Sequence, residues 1–165
     1  MNESTLRLRE LLERLIEAEV RFVLVGGLAV NAWGHLRGTR DVDLVPDPDR
    51  ENLTRLNELL RGLGGKCDVD GRLLDSNAIL TFLWTGDRTF IHTELGPIDI
   101  LQGLPQVPRF EELDKRAVDV DLDGLVVRVC SLEHLLEMKR ASERPRDRED
   151  IAALEVAQEP GKDRD

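Results

Sequence analysis

Apolar residues recur along this chain at two spacings, and the change from one to the other marks out its elements. From Ser4 to Glu19, Leu8, Leu11, Leu12, Leu15 and Ile16 stand at i, i+3, i+4, i+7 and i+8. That spacing puts them on one face and predicts an amphipathic helix. Arg21 to Val25 is a short apolar run of strand type, broken by Gly26-Gly27. Leu28 to about His35 reads as a helix, Leu36 to Arg40 as a loop, and Asp41 to Val45 as a second strand. Asp47-Pro48 reads as a helix start, a capping residue followed by proline at the first helical position. Leu53, Leu56, Leu59, Leu60 and Leu63 mark the inner face of that helix, and Gly62, Gly64 and Gly65 its end.

The second half is shorter in rhythm. Lys66 to Asp75 is polar, with a turn at Asp70-Gly71, and Ser76 to Trp84 fits either a short helix or a buried strand. Arg88 to Glu94 and Ile98 to Leu101 read as strands joined by a Gly96-Pro97 turn. Gly103 to Pro108 is a proline-punctuated loop and Phe110 to Arg116 a short helix. Val118 to Leu122 and Leu125 to Val129 form a hairpin around Asp123-Gly124. Ser131 caps a helix from Leu132 to Ala141, Arg144-Pro145-Arg146 interrupts, and a last helix runs from about Asp147 to Ala157. The polar tail, Glu159 to Asp165, reads as frayed, which leaves residues 1–158 as one domain with no internal repeat.

Composition narrows the classes. The chain has 165 residues, 41% apolar and 34% charged, which suits one soluble domain with a core. A net charge of −10 disfavours a protein held on nucleic acid by bulk electrostatics, while leaving room for a local basic site. Cys67 and Cys130 form no CxxC, and with no signal peptide at the N-terminus they read as reduced and cytoplasmic. No apolar run approaches the roughly 20 residues needed to span a bilayer. His35, His92 and His134 are far apart in sequence and do not suggest a histidine metal site.

Candidate chemistry sits where the strand pattern turns acidic. In Asp41-Val42-Asp43 the two acids are i and i+2, so a strand projects both to one face. Two adjacent carboxylates repel, and a divalent cation with hard oxygen ligands is the usual reason to keep them together. Asp99 is an acid set between the core residues Ile98 and Ile100. Three strand carboxylates suit two magnesium ions organising a nucleoside triphosphate. Gly26-Gly27, between a strand and a helix, lets backbone N–H groups approach phosphate oxygens. The phosphate motifs GxxxxGK[ST] and GxGxxG are absent.

Gly26-Gly27, thirteen intervening residues, Asp41-Val42-Asp43 and then Asp99 resemble the pattern of the nucleotidyltransferase superfamily typified by DNA polymerase β. The Gly-Gly form, with Arg37-Gly38-Thr39-Arg40 before the acids, is similar to a small bacterial branch. That branch includes lincosamide and aminoglycoside nucleotidyltransferases and AbiEii-type toxin enzymes. The segment from Leu135 through Lys139 and Arg144-Pro145-Arg146-Asp147 to Ile151 resembles it too. The resemblance implies an α/β fold, α+β in stricter terms, with a small mixed, largely antiparallel sheet flanked by helices. It implies transfer of a nucleoside monophosphate from an NTP to a hydroxyl, dependent on Mg2+ or alternatively Mn2+, with release of pyrophosphate. Asp41 and Asp43 would bind both metals. Asp99 would bind the catalytic metal and help deprotonate the acceptor, and Gly26 and Gly27 would contact the triphosphate. The acceptor, whether RNA, protein or small molecule, is not legible. Two alternatives stay open: a nucleotide-binding or regulatory module with a degenerate site, and the toxin half of a toxin–antitoxin pair with an antitoxin partner.

Several residues carry two readings. Lys139 lies in the apolar stripe Leu132, Leu135, Leu136, Lys139 and needs an anionic partner, which a triphosphate or the acidic triad would supply. Arg37, Thr39 and Arg40 either touch phosphates or make a polar loop. Arg144, Arg146 and Arg148 read as a solvated surface or an acceptor-binding patch. Asp147 and Asp150 read as a cap and a helix-dipole partner, Trp33 and Trp84 as core, and His35 as a loop residue.

Overall fold

A computed structural model describes residues 2–142 and 144–156. The end of the last helix at Ala157, the tail Glu159 to Asp165 and the boundary at residue 158 lie outside the described residues. The chain begins with helix α1 (Glu3–Glu17), capped by the Asn2 side chain, which accepts from the Thr5 N–H. Strand β1 (Phe22–Val25) leads into α2 (Gly26–Ala32), then β2 (Val42–Pro46) and α3 (Arg50–Gly62). A hairpin, β3 (Lys66–Val69) and β4 (Arg72–Leu74), precedes α4 (Ser76–Thr85), β5 (Thr89–Thr93) and β6 (Gly96–Ile100). Helix α5 (Phe110–Arg116), the β7–β8 hairpin (Val118–Leu122, Leu125–Val129), α6 (Leu132–Ala141) and α7 (Pro145–Val156) complete the described chain.

The strands form one eight-stranded sheet in the order β4-β3-β5-β6-β2-β1-β8-β7. Among the described residues, only β1 with β8 and β2 with β6 pair in parallel. The mixed, largely antiparallel sheet flanked by helices is therefore the one expected. All four residues of β1 are buried, the pattern of a strand covered on both faces. In β2 every residue is buried except Asp43. Leu8, Leu11, Leu12 and Leu15 of α1 are buried with the β-strand core, as their spacing predicts.

Several local expectations are corrected. Helix α2 begins at Gly26 rather than Leu28, because Gly26 at φ +67° turns the chain straight from strand into helix. The third helix is capped by Asp49, not Asp47, so Pro48 lies before it. Asp47 instead takes the Arg21 guanidinium at 2.9 Å. The ambiguous segment is a helix, with the Asp75 side chain accepting from the Asn77 N–H and Gly86 closing it at φ +76°. The polar stretch after α3 is a hairpin around Asp70-Gly71 at the sheet edge. Trp84 is not core: it is 45% exposed, with the Arg50 guanidinium 4.8 Å over its ring. Cys67 and Cys130 are free and buried. No helix among the described residues is long and apolar enough to cross a membrane.

Candidate active site

The sheet order places β2 between β1 and β6, and this sets the site. Asp43 is the register partner of Val25 on one side and of Asp99 on the other. Val25 runs directly into Gly26, so the strand-to-helix turn lies over the Asp43 carboxylate. A Cβ at Gly26 would lie 2.0 Å from Asp43 Oδ2. Glycine is required there twice over, by the close approach and by the positive φ. Gly27 carries only a hydrogen where other residues carry Cβ, and Thr39 fills that space: an added carbon would sit 2.7 Å from Thr39 Oγ1 and 3.0 Å from an Arg37 nitrogen. The loop carrying Arg37, Thr39 and Arg40 therefore packs onto the glycine turn.

Asp41, just before β2, joins Asp43 and Asp99 on a cleft of about 610 Å³. The crowding shows in their protonation. Burial first, then the charges of Asp41 and Asp99, push the Asp43 carboxyl up to about 7 against the pull of Lys139 and the Gly27 amide. Burial and the Asp99 charge also raise Asp41, while its own backbone amide, Arg144 and Arg37 pull it back.

Asp99 has a partner that the sequence did not suggest. Arg88, just ahead of β5, donates from Nε at 3.0 Å and from Nη2 at 2.7 Å, one bond to each carboxylate oxygen. Its nearness follows from strand register, with Thr89 opposite Ile100 and Phe90 opposite Asp99. Register between two strands is not written in either strand alone, and no signal in the sequence singles Arg88 out.

Lys139 is buried, and its anionic partners are the acids of α7. Nζ lies 2.8 Å from Asp147 Oδ1 and 3.1 Å from Asp150 Oδ2. The two acids are thus more than a cap and a dipole partner. Asp150 also takes a fork from Arg37, Nε at 2.9 Å and Nη2 at 3.0 Å, with His35 Nε2 3.6 Å away. Asp147 accepts from Ser142 Oγ at 2.5 Å and Arg144 Nε at 3.1 Å. Burial pushes both carboxyls up. Hydrogen bonds from Lys139 and Ser142 to Asp147, and from Arg37 and Lys139 to Asp150, outweigh it and hold both below the usual carboxylate range. One buried ion network thus ties α6, α7 and the loop after α2 together. Arg40 and Arg146 are exposed on the cleft wall, and Arg146 also donates to the Gly38 carbonyl.

Among the described residues, no three acidic, histidine or cysteine groups stand ready to hold a metal ion. At this cleft both Asp99 oxygens are spent on Arg88. Asp41 and Asp43 fit a hard cation as they stand, being carboxylates whose mutual repulsion nothing nearby fully relieves.

A glycine turn is thus laid on an acidic strand, with a third acid in register on the parallel neighbour. The family model described as Nucleotidyltransferase of unknown function (DUF6036) matches residues 4–160, and the chain belongs to that family. It is a nucleotidyltransferase. No curated protein matches it in sequence. Among solved structures, it is similar to the lincosamide antibiotic adenylyltransferase LnuA in its lincomycin-bound form, at 19% identity and a TM-score of 0.67 over 92% of this chain and 96% of that one. ANT(2")-Ia in complex with adenylyl-2"-tobramycin follows the same fold at 17% identity and a TM-score of 0.59, covering 95% of each chain. An antigenic nucleotidyltransferase-like protein from Paracoccidioides brasiliensis matches at 18% identity and a TM-score of 0.58 over 94% of this chain and 76% of that one. At these identities the likeness is one of fold.

Proposed function

We propose that this chain moves a nucleoside monophosphate from an NTP to a hydroxyl of an acceptor and releases pyrophosphate, in a reaction that depends on a divalent cation. The observation that carries this reading is the in-register pair Asp43 and Asp99, with Asp41 beside them, in a cleft walled by basic side chains. Asp41 and Asp43 would hold the cation, Mg2+ or Mn2+, and Asp99 would complete the set. When bound, the cation supplies neutralisation of phosphate charge and a lower pKa for the attacking hydroxyl.

The chain's own residues do the positioning. Gly26 and Gly27 leave a wall without side chains against which phosphate oxygens can lie. Thr39 packs on Gly27, and both Thr39 and the exposed Arg40 line the cleft. Arg37 and Lys139 line the cleft with their charges committed to Asp150 and Asp147, and so hold the wall in place. Lys139 also stabilises the ionised form of Asp43 by its charge. With its carboxyl near 7, Asp43 is poised to lose its proton at neutral pH as a cation arrives. In-line transfer then needs little beyond charge neutralisation and orientation.

A lincosamide adenylyltransferase and an adenylylated aminoglycoside among the similar structures put ATP first among donors and a small hydroxylated molecule first among acceptors. RNA and protein are the other acceptor classes. The test uses α-labelled ATP, CTP, GTP and UTP with Mg2+, the purified protein and a cell extract, beside Asp41→Asn/Asp43→Asn. Label reaching an acceptor only with the unsubstituted chain establishes the reaction and names the class. The fork of Arg88 on Asp99 favours one other reading, a nucleotide-binding module that does not turn over. Nucleotide binding with no label from any donor would establish it. A toxin role, with an antitoxin partner, would appear as growth arrest on expression that Asp43→Ala relieves. The two free buried cysteines suit a reducing cytoplasm.

A further inference from the structure

The fork between Arg88 and Asp99 has no part in the transfer reaction described above. It joins a side chain 52% exposed to one only 10% exposed, with both guanidinium bonds of normal length. A bidentate fork takes one lone pair of each carboxylate oxygen and sets a full positive charge beside the group. A divalent cation at the same oxygens would meet that charge directly. The two are competitors for one ligand.

The anchoring of Arg88 suits such a competition. It sits between the turn at Gly86 and the buried Thr89, whose hydroxyl donates to the Asp87 carbonyl at 3.2 Å. The backbone is therefore fixed, while the exposed side chain can rotate without moving β5. The same side chain lines the cleft, as does Phe90.

We propose that Arg88 is a latch on the third acid. It is the resident counter-ion of Asp99, and a divalent cation must displace it before Asp99 can serve as a ligand. Cation binding to Asp41 and Asp43 then comes first, and recruitment of Asp99 follows the release of Arg88. This rests on the metal-dependent reading of the same cleft, and the test separates the two.

Mn2+ alone is titrated into the metal-free full chain and the free ion is followed by electron paramagnetic resonance. The proteins are the unsubstituted chain, Arg88→Gln, Asp99→Asn and the double variant. Removing the latch should tighten Mn2+ binding about tenfold, the scale of a hydrogen-bonded charge pair. In the Asp99→Asn background the same substitution should change nothing, since the competition is gone. Equal affinity of Arg88→Gln and the unsubstituted chain, both still binding, overturns the latch alone. A gain that persists without the Asp99 carboxylate also overturns it, since a general field effect would then explain the result. No Mn2+ bound by any of the four overturns the metal reading and the latch with it. Should Arg88→Gln not fold, Arg88→Lys keeps the charge and loses the fork, and a smaller gain that again needs Asp99 carries the same test.

Discussion

Asp43 and Asp99 are direct register partners on the parallel strands β2 and β6, yet their carboxylates live under different conditions. Asp99 is forked by Arg88, while burial, Asp41 and Asp99 push Asp43 up to about 7. A carboxyl that titrates higher when folded than when unfolded stabilises the fold fully below its unfolded value. That stability is lost as pH rises through the folded value. The metal-free protein should therefore melt progressively lower as pH rises from about 4 to about 7, the interval between the ordinary and folded carboxyl values. Asp43→Asn should flatten this fall and melt several degrees higher at pH 8, while abolishing transfer. Thermal melts at matched ionic strength across that range decide it. A lower melting temperature for Asp43→Asn at pH 8 would mean that Asp43 has a structural partner.

The Lys139 network has the opposite sign. Asp147 and Asp150 titrate below the ordinary range, so their contribution is present above the unfolded carboxyl value and is lost as pH falls through the folded one. Between pH 5 and 8 it should be constant, and it should not blur the fall due to Asp43. Lys139→Met removes the cation shared by both acids. Arg37 and Arg144 remain as partners, so the loss should be about 3 kcal/mol, the lower end for breaking a buried pair. Urea unfolding at pH 7 measures it, and repeating it near pH 4 should recover part of the loss as the stranded acids take up protons.

Periodicity made most of this architecture legible. The leucine spacing of α1, the Asp-Gly hairpin of β7 and β8, and the Ser131 cap on α6 are all local features, and each stands where the sequence puts it. The Gly pair and the three acids, each marked in the sequence by its own neighbours, lie together on one cleft. What was missed depends on contacts distant in sequence. Arg88 meets Asp99 through strand register, and Lys139 finds Asp147 and Asp150 only because α7 folds back on α6. Trp84 was misread because an aromatic in an apolar run looks like core, whereas here it caps the Arg50 guanidinium at the surface.

Gly26 should tolerate no side chain. Gly26→Ala places a carbon against the Asp43 carboxylate in a left-handed backbone, at a conformational cost of roughly 1–2 kcal/mol before the clash is counted. Activity should fall below detection. Gly26→Ala combined with Asp43→Ala removes the carboxylate that collides but leaves the residue-43 Cβ 2.7 Å away, so it should regain part of the lost stability without regaining activity. Denaturant midpoints of the three variants test whether the clash, rather than the turn alone, sets the loss.

Arg37 and Arg40 lie three residues apart on one loop and should separate cleanly. Arg37 commits its guanidinium to Asp150, which is fully buried, so Arg37→Gln strands one partner of a buried network. Its first effect should be a lower melting temperature, with kcat and KM both disturbed as the loop loosens. Arg40 is exposed on the cleft wall, and Arg40→Gln should leave the melting temperature within about a degree, as surface substitutions generally do. If it meets the triphosphate in the ground state and the transition state alike, the loss should fall on KM for the NTP, with kcat kept. Raising the salt should weaken NTP binding by the unsubstituted chain more than by Arg40→Gln, because one screened charge pair is already gone. A fall in kcat with KM unchanged would instead place Arg40 on charge that develops only as the phosphoryl group transfers.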